Sequence, residues 1–136
     1  LTALLLDAGV WIAAKDGGDR YCEAARLLAV DSDQPVAALD LTLYEVASVV
    51  GARMRRNADA IDLCRLISAR CSGHLVAVDA ELVRRTVEVV AEHDLTAYDA
   101  AYVAAARRHG WTLVSTDIAD LVSKGLAVAP DAADYP

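Results

Sequence analysis

The sequence has no Phe, and aromatic residues are only 5% of its 136 positions. Any core must therefore be aliphatic, built from Ala, Val and Leu. Cysteine is scarce and odd in number: Cys22, Cys64 and Cys71, with no C-x-x-C pair. Cys64 and Cys71 are seven apart on an expected helix, which separates their backbones by about 10 Å, too far for a disulfide. Free thiols in a reducing compartment are the simplest reading. His74, His93 and His109 show no metal-binding spacing, which argues against a zinc site. No apolar run approaches the roughly 20 residues that span a bilayer. The start, Leu1 to Asp7, lacks a basic segment and meets a charge at once, so it reads as a first strand and not a signal peptide. A cytoplasmic location is expected. With 3 Pro and 7 Gly, neither disorder nor a low-complexity fibre fits. Net charge is −7, from 13 basic and 20 acidic residues, so net charge alone would not hold this chain to a polyanion.

What is present is a regular alternation. Continuous apolar runs at 3–6, 36–39, 75–78 and 111–115, with a weaker one at 126–129, read as strands buried on both faces of a mainly parallel sheet. Helical patterns lie between them at 21–30, 43–54, 58–71, 81–92 and 97–109, the last closed by Gly110. A further short helix is expected after Asp117. The order is that of a three-layer α/β/α sandwich, and residues 1–136 are expected to form one domain.

In open parallel sheets, ligands bind beyond the carboxyl ends of the strands. Four acids are expected there: Asp7 after strand one, Glu45 and Asp99 in the first turns of helices, and Asp117 after strand four. Each has an ordinary structural reading. Thr42-x-x-Glu45 and Thr96-x-x-Asp99 match capping boxes, Asp117 can cap a helix containing Asp120, and Asp7 can cap one beginning near Gly9. Together they point further. The nearest basic residue in sequence is Lys15 for Asp7 and Arg107 for Asp99. Carboxylates gathered without local cations require an external one, and all-oxygen ligands favour Mg²⁺ or Mn²⁺. Other α/β chemistries fail on motif. Gly9 removes the Asp-x-Asp of a haloacid-dehalogenase-like phosphatase. There is no dinucleotide or P-loop glycine pattern, and a receiver domain would need a paired acid at strand one.

Leu4-Leu5-Leu6-Asp7, Glu45 within Thr-Leu-Tyr-Glu-Val-Ala, Leu-Thr-Ala-Tyr-Asp99-Ala-Ala-Tyr and Leu-Val-Ser-Thr-Asp117 resemble a PIN-domain nuclease. The unembellished length is most similar to a VapC toxin of a type II toxin–antitoxin pair. The resemblance implies five strands in the order 3-2-1-4-5 and a Mg²⁺-dependent endoribonuclease, with Mn²⁺ as a substitute. Its acidic quartet is Asp7, Glu45, Asp99 and Asp117, with Asp7 and Asp99 as the foremost metal ligands and Ser115 as a supporting hydroxyl. A water activated by the metal would hydrolyse RNA to a 5′-phosphate and a 3′-hydroxyl. Many relatives carry Ser or Asn where this chain has Gly9, so one polar side chain beside the first acid is missing. The resemblance also implies a homodimer and a VapB-like antitoxin whose C-terminal segment meets the acids.

Arg53, Arg55 and Arg56 form the densest basic cluster, either a solvated helix end or an RNA contact. Tyr98 and Tyr102 are expected to pack, and Trp11 to lie in the core or an interface. Two other readings stay open: a catalytically silent PIN-like binding module, and a housekeeping PIN nuclease without an antitoxin. Setting the quartet aside leaves sixteen acids against thirteen bases. Much of the net acidity would then be a local device for collecting a cation that a phosphate can approach.

Overall fold

The computed structural model describes residues 2–133. Four parallel strands form its sheet: β1 (Leu4–Leu6), β2 (Val36–Leu39), β3 (Leu75–Val76) and β4 (Thr112–Val114), in the order β3-β2-β1-β4. Leu4 lies opposite Val36 on one side and Thr112 on the other. The expected fifth strand contracts to a single parallel bridge between Val114 and Val128. Its two hydrogen bonds, Ser115 N to Val128 O (3.0 Å) and Val128 N to Leu113 O (2.9 Å), keep the edge position that a fifth strand would take. The flanking chain, with Gly125 in the left-handed region at φ 73°, does not continue the ladder.

Strand alternation sends β1 into two separate cores. Leu4 and Leu6 join Val36, Ala38 and Val114 under α1 (Ala8–Ala13), α2 (Cys22–Arg26), α3 (Asp40–Val46) and α4 (Asn57–Arg70). Leu5 joins Ala37, Leu39 and Leu113 under α5 (Ala80–His93) and α6 (Ala97–His109). Strands β1 and β2 are apolar throughout because both of their faces are covered. Trp11 is fully buried in the first core, as expected. Residues 100–106 of α6 are all buried, and five of these seven are Ala, whose small side chains let the helix seat close to the sheet. All three cysteines are free, and burial pushes the Cys71 thiol up to about 12.

Two of the helices run on into wider turns with i→i+5 hydrogen bonds. α2 continues into 27–31 (Ser32 N to Leu27 O, 2.8 Å), and α3 into 47–53 (Met54 N to Val49 O, 3.0 Å). A third wide turn, at 118–122, is the short helix expected after Asp117.

The start of α3 departs from the sequence-based expectation of Thr42 as N-cap with Glu45 in the first turn. The helix begins at Asp40, with Leu39 as N-cap, and Thr42 is its third residue. The Thr42 hydroxyl accepts the Leu39 N–H at 3.2 Å. Because Thr42 satisfies that donor, the helix leaves the strand without a loop, and Glu45 falls in the second turn, free of capping duty.

Candidate metal centre

The four acids reach the carboxyl end of the sheet by four local routes. Asp7 follows β1 directly, its N–H donating to Val114 O at 3.2 Å, and then caps α1 by accepting the Val10 N–H at 3.1 Å. Asp99 is the third residue of α6, whose N-cap Thr96 accepts the Asp99 N–H at 3.2 Å. Asp117 caps the 118–122 turn by accepting the Asp120 N–H at 2.9 Å. Glu45 is offered from the second turn of α3. Capping thus accounts for the backbone at three of the four positions, yet it leaves carboxylate oxygens to spare.

Two of the four, Asp99 and Asp117, come together, and Asp120 joins them. Carboxylate oxygens of Asp99, Asp117 and Asp120 all lie within 4.8 Å of one another. Asp7 and Glu45 are not part of this group, though each is near enough to feel the Asp99 charge. Burial pushes the Asp7 carboxyl up to about 7 against hydrogen bonds from Ser115 and Val10, and the charges of Glu45 and Asp99 add to the rise. Glu45 is raised by burial, opposed by a Tyr102 hydrogen bond, with the Asp99 charge again adding. Asp99 itself is raised by burial first and then by the charges of Asp117 and Asp120. Asp99 is thus the one acid whose charge is felt by, or feels, each of the others. Among the described residues, none of Asp7, Glu45, Asp99 or Asp117 forms an ion pair with a basic side chain.

Two neutral groups hold the arrangement. Ser115, fully buried, donates its hydroxyl to Asp7 Oδ2 and accepts the Asp117 N–H at 2.9 Å, so one atom ties the end of strand β1 to that of β4. Tyr102, one turn beyond Asp99, donates to Glu45 Oε1 at 2.6 Å and shares a 2.7 Å hydrogen bond with Thr42. The sequence points to Ser115, but it gives Tyr102 only a packing role. The Tyr pair differs sharply: Tyr102 is 2% exposed and Tyr98 is 62% exposed. Asp120 reads in sequence only as a capping partner of Asp117. Its spacing from Asp117 is visible there, but the wide turn that swings its carboxylate toward Asp99 is not.

The donor set is oxygen alone, without His or Cys, as a hard divalent cation requires. The like-charge repulsion that helps raise Asp7, Glu45 and Asp99 is also what such a cation would relieve. Arg53 and Arg55 are exposed beyond α3, whereas Arg56 is held by Asp59 at 2.6 Å.

The architecture is shared with several solved structures. A toxin–antitoxin complex from Klebsiella pneumoniae aligns with a TM-score of 0.71 at 18% identity, over 94% of this chain and 98% of the other. VapC20 of Mycobacterium tuberculosis, a sarcin-ricin loop cleaving toxin, aligns with a TM-score of 0.69 at 21% identity, over 90% and 95%. FitAcB from Neisseria gonorrhoeae aligns with a TM-score of 0.71 at 18% identity, over 96% and 99%. No relative is found among curated protein sequences. At the level of sequence, the PIN domain family matches residues 4–120, a span that takes in all four strands together with Asp7, Glu45, Asp99, Asp117 and Asp120. The chain belongs to the PIN domain family.

Proposed function

We propose that this protein is a Mg²⁺-dependent endoribonuclease and the toxin of a toxin–antitoxin pair. The observation that carries the reading is the Asp99–Asp117–Asp120 group, backed by Asp7 and Glu45, with no basic side chain paired to the quartet among the described residues. Asp7 and Asp99 would be the foremost ligands of the cation, with Asp117 and Glu45 beside them or reached through water, and Asp120, grouped with Asp99 and Asp117, would add a further oxygen. A divalent cation in such a site supplies positive charge to a phosphodiester and lowers the pKa of water. The protein's own contribution is orientation. Ser115 fixes Asp7 against Asp117, and Tyr102 fixes Glu45 against α3, so the carboxylates keep their aim while repelling one another.

The toxin assignment draws on the architecture shared with the K. pneumoniae toxin–antitoxin complex and the M. tuberculosis toxin, and the RNA assignment on the sarcin-ricin loop that the latter cleaves. A VapB-like antitoxin and a homodimer are part of the same reading. Apolar surface supports both. Tyr44 and Ile61 are 78% and 52% exposed, and a groove lined by Ala47, Ala60, Ile61, Cys64 and Ala69 runs between α4 and the wide turn after α3. The whole chain, 1–136, is taken as one PIN domain. No described helix is long and apolar enough to cross a membrane, and a cytoplasmic site of action fits an RNA substrate.

The test is cleavage of total RNA by the purified chain with Mg²⁺, with Mn²⁺, and with EDTA. Cleavage that needs the cation and vanishes in Asp99→Asn is expected. A well-folded Asp7→Asn/Asp99→Asn protein with full activity would overturn the reading. Absence of cleavage with intact metal binding would favour a silent binding module. Growth arrest relieved by a co-expressed neighbouring gene separates a toxin from a housekeeping nuclease, and mapped cut sites identify the RNA.

A further inference from the structure

Gly9, the second residue of α1, does nothing unusual with its backbone; its φ is not in the left-handed region. What it supplies is space. A Cβ built on Gly9 would overlap the Thr116 hydroxyl and lie 3.4 Å from Asp7 Oδ1, with Thr116 Cβ at 3.6 Å. The Thr116 hydroxyl and the Asp7 carboxylate therefore flank a single point, and only a residue without a side chain leaves that point open. Thr116 sits between Asp117 and Ser115, whose hydroxyl is committed to Asp7 Oδ2 and the Asp117 N–H. Among the described residues, the Thr116 hydroxyl has no hydrogen-bond partner in the protein.

We propose that Gly9 and Thr116 form an interlocking pair in which the Thr116 hydroxyl, seated where a residue-9 side chain would lie, positions water of a divalent cation held by the acids. Ionised carboxylates only accept hydrogen bonds, whereas a hydroxyl both accepts and donates. Thr116 would accept from such a water beside the Asp7 carboxylate, its own O–H being uncommitted within the described protein. Any side chain at position 9 forces Thr116 into another staggered rotamer and turns the hydroxyl away, because the overlap falls on Oγ1 and not on Cβ. The inference rests on the metal-site reading above, and it makes Thr116 a positioning residue.

The experiment is a double-mutant cycle on the full chain, read by calorimetric Mn²⁺ titration, melting without metal, and RNA cleavage. Thr116→Ala and Gly9→Ala should each weaken Mn²⁺ binding roughly 10-fold, the usual scale for losing a group that orients a metal's ligands. Gly9→Ala/Thr116→Ala should be no weaker than Thr116→Ala alone, since the small side chain leaves room for the new Cβ. Thr116→Ser should bind as the parent does. Metal-free melting of Thr116→Ala should match the parent, which separates positioning from folding. Undiminished Mn²⁺ binding by Thr116→Ala, additive losses in the double variant, or no Mn²⁺ binding by the parent would overturn the proposal. If the cycle behaves as expected but the parent cuts no RNA, the interlock stands and the nuclease reading fails.

Discussion

The Tyr102 hydroxyl donates to Glu45 at 2.6 Å from a position 2% exposed, with the Thr42 hydroxyl 2.7 Å away on its other side. A phenol on α6 thus decides where a carboxylate on α3 points, across 57 residues of sequence. Burial and the Glu45 charge both raise the Tyr102 hydroxyl well above its ordinary value, so it remains a donor at any working pH.

Tyr102→Phe removes that donor while keeping the ring. Roughly 10-fold slower cleavage is expected, with a stability loss of about 1 kcal/mol for the hydrogen bonds given up. Tyr98→Phe, on the exposed side of the same helix, should change neither. Parallel cleavage assays and urea melts check the pair, and equal effects at both positions would contradict the assignment.

Asp7 gives a pH dependence whose sign is fixed. Its carboxyl is raised from 3.8 to about 7, so between those values the folded metal-free protein holds a proton that the unfolded chain has released. Its contribution to stability is fully present below about pH 4 and is lost as pH rises to about 7. Asn caps a helix as well as Asp does and carries no charge. Asp7→Asn should therefore be the more stable protein in EDTA above neutral pH, with the advantage vanishing toward pH 4. Urea melts of both proteins across that range give the difference curve, and a parent more stable than the variant above neutrality would refute it.

Ser115→Ala removes the hydrogen bond that lowers the Asp7 carboxyl, so that carboxyl should rise further. Metal must then displace a proton at neutral pH. Mn²⁺ affinity should fall roughly 10-fold there and recover as pH is raised. A deficit that ignores pH would assign Ser115 to backbone geometry alone.

Neutralising Arg53 and Arg55 tests a role in holding phosphate, Arg56 being already engaged with Asp59. If both touch RNA, the log–log salt slope of binding to inactive Asp99→Asn protein should flatten by roughly 0.7 for each arginine replaced. An unchanged slope would leave them as a solvated helix end.

Strands β1 and β2 are legible in the sequence because burial on both faces leaves unbroken apolar runs, whereas β3, expected to be buried over 75–78, contracts to an edge pair with Leu75 exposed. β2 matches the expected 36–39, and β1, β3 and β4 fall inside theirs. Helix α6 begins and ends where Thr96 and Gly110 indicate. The fifth strand is legible only as a position, since one backbone bridge at Val128 needs no run of apolar residues. The start of α3 misleads because Thr42 suits an N-cap as well as a third-residue acceptor, and only the direct exit from β2 chooses between them.

Local sequence was enough to set the alternation of strands and helices, the resemblance to the family, and the strand-end address of Asp7 and Asp117 and the helix-start address of Asp99. Periodicity, caps and strand ends are properties of neighbouring residues. Which acids meet was settled only in three dimensions. Asp120 joins Asp99 through a wide turn that carries no sequence signal of its own. Tyr102 meets Glu45, and the Thr116 hydroxyl takes the space over Gly9, for the same reason. Each depends on how separate elements approach in space, and the size of a missing Cβ or the reach of a phenol has meaning only once that approach is set.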